Sequence, residues 1–153
     1  MRGWMAVALA VVCAPSAASA EPARHAAYID VLGKAGLWGV GYDYELVPRF
    51  AFGAVGSYYV LGGDHYQTLA PYATVYPLGG SHLRALVQFG PQFVRHVTPS
   101  PVPEWDGMTS QHGGAELCAG MEYRRGVLVR AYGMLSVGEH IAPWLGVSVG
   151  WSR

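Results

Sequence analysis

Charge is what this chain has least of. Aspartate, glutamate, lysine and arginine make up 13% of its 153 residues, against about 25% in ordinary soluble domains. A soluble domain of this size needs a charged surface, and too few charges are present to make one. Lysine occurs once, at position 34, and the net formal charge is zero. No basic field therefore exists to attract nucleic acid. Cysteine occurs twice, as Cys13 and Cys118. If Cys13 is removed with a leader, the remaining thiol cannot form an intramolecular disulfide, which excludes a cysteine-stapled miniprotein. After Glu21 there is no apolar run long enough to cross a bilayer as a helix.

The leader reading rests on the first twenty residues. Arg2 supplies a positive charge, Met5 to Ala14 are apolar, and Pro15-Ser16 end that run. Ala18-Ser19-Ala20 then offers a small-x-small cleavage site before Glu21. This order is that of a secretory signal peptide. A membrane anchor is the alternative, but the apolar run is too short to span ~30 Å of hydrocarbon. A lipoprotein signal ending at Cys13 is opposed by the bulk of Val12. The expected organisation is a signal peptide over 1–20 and a single domain over 21–153.

Glycine and tyrosine are plentiful, with 21 and 10 copies, and the apolar residues recur with period two. Eight strands are expected, over 26–33, 36–46, 49–61, 66–77, 82–96, 113–125, 127–137 and 143–151. In the second, Trp38, Val40, Tyr42, Tyr44 and Leu46 share one face, while Gly39, Gly41, Asp43 and Glu45 share the other. The fifth sets Leu83, Ala85, Val87, Phe89 and Phe93 against Arg84, Gln88, Gly90 and Gln92. The sixth, seventh and eighth alternate in the same way. Tight turns are expected at Val47-Pro48, Leu78-Gly79-Gly80-Ser81 and Arg125-Gly126. At the other end longer loops are expected, at Gly62-Gly63-Asp64-His65 and over 97–112, although Lys34-Ala35 is short.

Two barrels could carry this alternation. A soluble lipocalin-like carrier would put the apolar face inside, around a ligand, and Gly36-Leu37-Trp38 mimics the glycine-x-tryptophan of lipocalins. A membrane barrel would put it outside. The glycines on the polar face decide for the membrane barrel. Gly39, Gly41, Gly53, Gly90, Gly120, Gly146 and Gly150 make room in a narrow interior and would make a poor soluble exterior. The charges on that face are mixed in sign, as enclosed charges must be. Asp30, Asp43, Glu45, Glu116 and Glu122 oppose Arg84, Arg124 and Arg130, so a lumen ion-pair network is expected, with Arg84 joined to Glu116 or Glu122. Tyr42, Tyr44, Phe50, Phe52, Tyr123 and Trp151 near one set of strand ends fit an aromatic girdle. The expected fold is all-β, an eight-stranded antiparallel up-and-down transmembrane β-barrel.

From Tyr28 to Trp151 the chain resembles the small outer-membrane β-barrel proteins of Gram-negative bacteria, of the OmpA/OmpX type. The resemblance is carried by the strand pair Leu37–Leu46 and Arg49–Leu61, by Pro71–Gly79, and by the closing segment Trp144–Trp151. It implies an outer-membrane location among lipid and lipopolysaccharide, and insertion by the barrel-assembly machinery. That machinery reads a last strand ending in an aromatic, and here Ser152 and Arg153 follow Trp151.

Chemistry is sparser. Asp64-His65, Ser110-x-His112 and Glu139-His140 are the pairs from which a lipid A-modifying hydrolase or acyltransferase could draw a base. Their spacing supports neither a catalytic set nor a metal site, and no cofactor is expected. General porin activity is opposed by the bulk of Arg84, Gln88 and Tyr132 in a barrel this narrow. The favoured role is structural or surface-interacting. The 97–112 segment, stiffened by Pro99, Pro101 and Pro103 and carrying Trp105, is the expected contact surface for an unidentified extracellular partner. Trp105, His65 and His112 are the residues expected to contact the ligand or partner.

Overall fold

Side chains along a β-strand point to alternate faces, and in this protein the two faces meet opposite surroundings. In β7 (Val127–Val137), Val127, Val129, Ala131 and Leu135 are exposed, while Leu128, Arg130, Tyr132 and Met134 are buried. The apolar face therefore looks outward and the arginine inward. A computed structural model describes residues 24–100, 107–138 and 141–153. The segment 1–20, Trp105 and the Glu139-His140 pair lie outside the described residues.

Seven further strands repeat the rule: β1 (His25–Gly33), β2 (Gly36–Val47), β3 (Phe50–Leu61), β4 (Asp64–Val75), β5 (Leu83–Thr98), β6 (Met108–Arg125) and β8 (Ile141–Ser152). Each pairs antiparallel with the next and β8 pairs back onto β1, so the sheet is a closed barrel in simple up-and-down order. Closure leaves no free sheet edge along the paired wall. This is the fold expected from the alternation. At the end carrying Arg24 and Arg153, His25 and Arg153 exchange both backbone hydrogen bonds, at 2.7 and 2.8 Å. We call this the terminal end, and the opposite one the far end.

Three expectations about the connections are corrected. Asp64 and His65 are not loop residues. They pair with Leu61 and Val60 across a two-residue turn at Gly62-Gly63, where φ is 63° and 97°, as a type I′ hairpin requires. His112 is not in a loop either, because β6 begins at Met108 and places it opposite Val94. The ladder between β5 and β6 runs on to Thr98↔Met108, so the loop is 99–107 rather than 97–112. The asymmetry of short turns and long loops fails as well. Two far-end connections are two-residue turns, while 76–82 is the longer link at the terminal end.

The lumen is filled by large side chains set against glycines. Tyr28 faces Gly41 on β2 and Gly150 on β8, Tyr132 faces Gly120 and Gly146, and Tyr72 faces Gly53. At Gly41, Gly53 and Gly146 an added Cβ would overlap the tyrosine ring itself. Gly90 makes a different accommodation. Its Cα lies against the Pro71 carbonyl, where the β4–β5 ladder is interrupted between Leu69↔Phe93 and Ala73↔Phe89.

Candidate functional site: a charge-sealed lumen and a far-end ribbon

Toward the terminal end of the lumen, three carboxylates meet three guanidinium groups. Asp43 and Glu45 come from β2, Arg84 from β5, Glu122 and Arg124 from β6, and Arg130 from β7. All six are buried. Arg84 grips Glu45 with two parallel bonds, of 3.0 and 2.9 Å, and reaches Glu122 at 2.7 Å. Arg124 donates to Asp43 at 2.7 Å and lies 3.0 Å from Glu122. Arg130 donates to Glu122 at 2.5 Å and also to Asp43. Glu122 thus touches all three arginines. Equal numbers of charges and repeated hydrogen bonds are what a low-dielectric interior demands of enclosed ions. Tyr76 donates to Glu122 at 3.2 Å, and the Arg84 guanidinium lies 3.7 Å from the centre of the Tyr76 ring.

Glu116 stands outside this cluster. Arg84 is joined to Glu122 and not to Glu116, which settles the alternative left open by the sequence. Glu116 is 2% exposed, and neither of its carboxylate oxygens has a hydrogen-bond partner.

A lone lysine at the tip of a tight turn reads as solvated, and Lys34 departs from that reading. In the structure the Lys34-Ala35 turn folds into the lumen, and both residues are buried. The Lys34 ammonium donates to Gln88 at 3.0 Å and sits 4.3 Å from the centre of the Tyr132 ring. Gln92 on β5 donates to the Lys34 carbonyl at 2.7 Å, and Ser57 on β3 to that of Ala35 at 2.8 Å. The turn is therefore tied to strands across the barrel, and it closes the lumen above the arginine layer. The one signal was Val31-Leu32. Two successive apolar residues break the alternation, and Leu32, with φ of 50°, turns outward and lets Gly33 and Lys34 turn in.

Beyond the lumen, the far ends of β3 to β6 continue as a ribbon. Asp64 pairs with His96, at 2.9 Å, rather than with its chain neighbour His65. Adjacent strand residues point to opposite faces, so His65 is turned outward and meets the Tyr58 hydroxyl at 2.6 Å. The Tyr59, Tyr66 and His96 rings stack in sequence on the inner face, with centres 5.1 and 4.5 Å apart. His112 lies on that face, next to Val94. Among the described residues no group of three or more His, Cys, Asp or Glu side chains could hold a metal ion.

Two solved structures share this architecture. The N-terminal β-barrel domain of Pseudomonas aeruginosa OprF superposes with a TM-score of 0.66 at 19% identity, over 85% of this chain and 96% of that one. It is the outer-membrane barrel fold. Ail, the attachment invasion locus protein of Yersinia pestis, solved in complex with the heparin analogue sucrose octasulfate, matches with a TM-score of 0.53 at 10% identity. The match covers 86% of this chain and 97% of Ail. No protein-family model matches the sequence, and no curated protein does.

The rest of the exterior agrees with that fold. Ile29, Val40, Phe52, Leu69, Phe89, Phe93, Leu117, Val129, Val147 and Val149 are all exposed, which in water would be an aggregation surface. At the terminal end Tyr44 lies opposite Phe52. Phe50 and Phe52 meet edge to face with centres 4.7 Å apart, and Trp151 and Tyr123 stand exposed nearby. An aromatic girdle at this level, with the amphipathic rings of Tyr44, Tyr123 and Trp151, suits a membrane interface.

Proposed function

We propose that this chain is a structural, surface-presenting protein of the outer membrane. A signal peptide cleaved after Ala20 exports it, the barrel-assembly machinery inserts it, and the terminal end faces the periplasm. The observation that carries this reading is the inverted distribution of polarity. Six paired charges are sealed inside, and an almost uncharged apolar wall faces out. Lipid is the solvent such a wall fits, and in lipid only a closed barrel satisfies every backbone group. The arginine layer and the inward Lys34 turn fill the lumen with large paired side chains, so the barrel serves as an anchor rather than a general pore.

The test is gel mobility of the membrane-fraction protein in detergent, with and without boiling. The expected result is a mobility shift on boiling, a mature chain beginning at Glu21, and no steady conductance in planar bilayers. Recovery of native protein from the periplasm without detergent would overturn it.

What the barrel presents is the β5–β6 ribbon with the 99–107 loop, within which Trp105 lies. That Ail, an attachment protein, was solved with a heparin analogue supports a contact role for a barrel of this fold. Replacing 99–107 by Asn-Gly is expected to keep the boiling-dependent shift, because the β5–β6 ladder is intact up to Thr98↔Met108. The same variant should lose binding to cells, and unchanged binding would remove the loop from this role.

A further inference from the structure

The outer wall changes character at one row of residues. Across β4, β5 and β6, the outward side chains run Leu69, Phe93, Gly113 in one row and Gln67, Arg95, Gln111 in the next toward the far end. Leu69 and Phe93 are half-exposed, at 53% and 52%, as lipid-facing residues are. One step farther, a guanidinium is flanked on each side by a carboxamide. Because Gly113 has no side chain, the wall is recessed there. These residues, with Thr68, Val94 and His112, line a depression of about 420 Å³.

Its height is set by strand geometry. Leu83 pairs with the girdle residue Tyr123, and Arg95 is twelve residues farther along the same strand. At ~3.3 Å per residue and a tilt near 40°, that is about 30 Å along the barrel axis. The outward apolar band of such barrels is ~25 Å tall, so Arg95 stands at its far rim. Arg95 is exposed and has no ion-pair or hydrogen-bond partner among the described residues. Asp64, a carboxylate of the same ribbon, is on the inner face and is held by His96.

We propose that Gln67, Arg95 and Gln111 bind the phosphate of an outer-leaflet lipid headgroup, with its acyl chains on Leu69 and Phe93 below. This deepens the outer-membrane reading and rests on it. An arginine presents a planar fork of donors that fits phosphate oxygens in pairs. The two carboxamides add neutral donors on either side, within cross-strand reach. The apolar floor one row below decides the source of the phosphate. A free phosphate ion has no use for it, whereas a phospholipid or phosphorylated lipid A does.

The experiment uses the full chain in phosphatidylcholine nanodiscs doped with either bisphosphorylated lipid A or the same lipid dephosphorylated. Lipid retained per barrel is counted by native mass spectrometry. The native protein is expected to hold the phosphorylated form about tenfold better, and Arg95→Gln to erase that preference. Arg95→Lys should recover part of it, and Gln67→Ala with Gln111→Ala should lower it. Equal retention of the two lipids, or an undiminished preference in Arg95→Gln, would overturn the proposal. So would loss of retained lipid A to millimolar inorganic phosphate, since the site would then be one for a free ion. Each variant must still show the boiling-dependent shift, which its outward position should leave unchanged. A native chain that never enters nanodiscs would instead sink the transmembrane reading, a result distinguishable from an inserted barrel without lipid preference.

Discussion

Glu122→Gln is expected to lower the unfolding free energy of the barrel by about 3–5 kcal/mol, the usual cost of removing one partner from a buried ion pair. The measurement is urea unfolding in detergent micelles, followed by tryptophan fluorescence, with the unboiled gel band as a second readout. The size follows from what Glu122 holds. Its carboxylate is within 2.7 Å of Arg84, 3.0 Å of Arg124 and 2.5 Å of Arg130, and it is fully buried. Without its charge, three guanidinium groups share two carboxylates in a closed space. The change of one atom type leaves volume almost constant, so a loss of this size would be electrostatic rather than a packing defect. Arg130→Met should cost a similar amount, since it strips one partner from both Asp43 and Glu122. The double variant Glu122→Gln, Arg130→Met restores the balance of two carboxylates with two guanidiniums. Its loss should fall short of the sum of the two singles by at least 1 kcal/mol, as coupled groups do. A Glu122→Gln protein within about 0.5 kcal/mol of native, the range of an isolated surface substitution, would mean that water in the lumen screens the cluster.

The ion cluster shows what could be read from the sequence and what could not. Parity along β2, β6 and β7 put Asp43, Glu45, Glu122, Arg124 and Arg130 on one face, because a strand's alternation survives any register. Which carboxylate meets which arginine depends on register and on the slant of the strands around the barrel. That is why Glu116, on the correct face, lies away from Arg84. Pairing by chain adjacency failed for the matching reason, since Asp64 and His65 point to opposite faces. The length of β5 and β6 was hidden too. Residues 108–112 lie past the apolar band, where polar side chains on both faces erase the alternation, yet the backbone ladder continues regardless of what the side chains meet. The inward Lys34 turn depends on contacts from Gln92 and Ser57, both remote in sequence. No local pattern could announce them.

Gly150→Val is expected to abolish the closed barrel, with no boiling-dependent shift and little protein in the outer membrane. Gly150 is in the last strand, opposite Tyr28 on β1 and Leu128 on β7, so it sits in the seam that closes the sheet. An added Cβ would overlap the Ala27 carbonyl oxygen and come within 2.6 Å of the Tyr28 Cβ. The first of these obstacles is backbone, which cannot rotate aside as a side-chain tip can. Relief would require β1 and β8 to separate, and a parted seam exposes unpaired backbone groups to hydrocarbon, at several kcal/mol each. Gly133→Ala is the control. It is a glycine of β7 on the outward face, where the nearest atom to an added Cβ is a Leu145 methyl at 4.0 Å, and it should change stability by no more than about 0.5 kcal/mol. The contrast separates two demands that glycine meets in one sheet. Inside, it admits a neighbouring ring or carbonyl that nothing larger would admit, while outside it borders lipid, which yields to a methyl group. If Gly150→Val still closed, the seam would have to be wider than the Tyr28↔Gly150 pairing allows, and the tyrosine-against-glycine packing of the lumen would not be what holds the barrel shut.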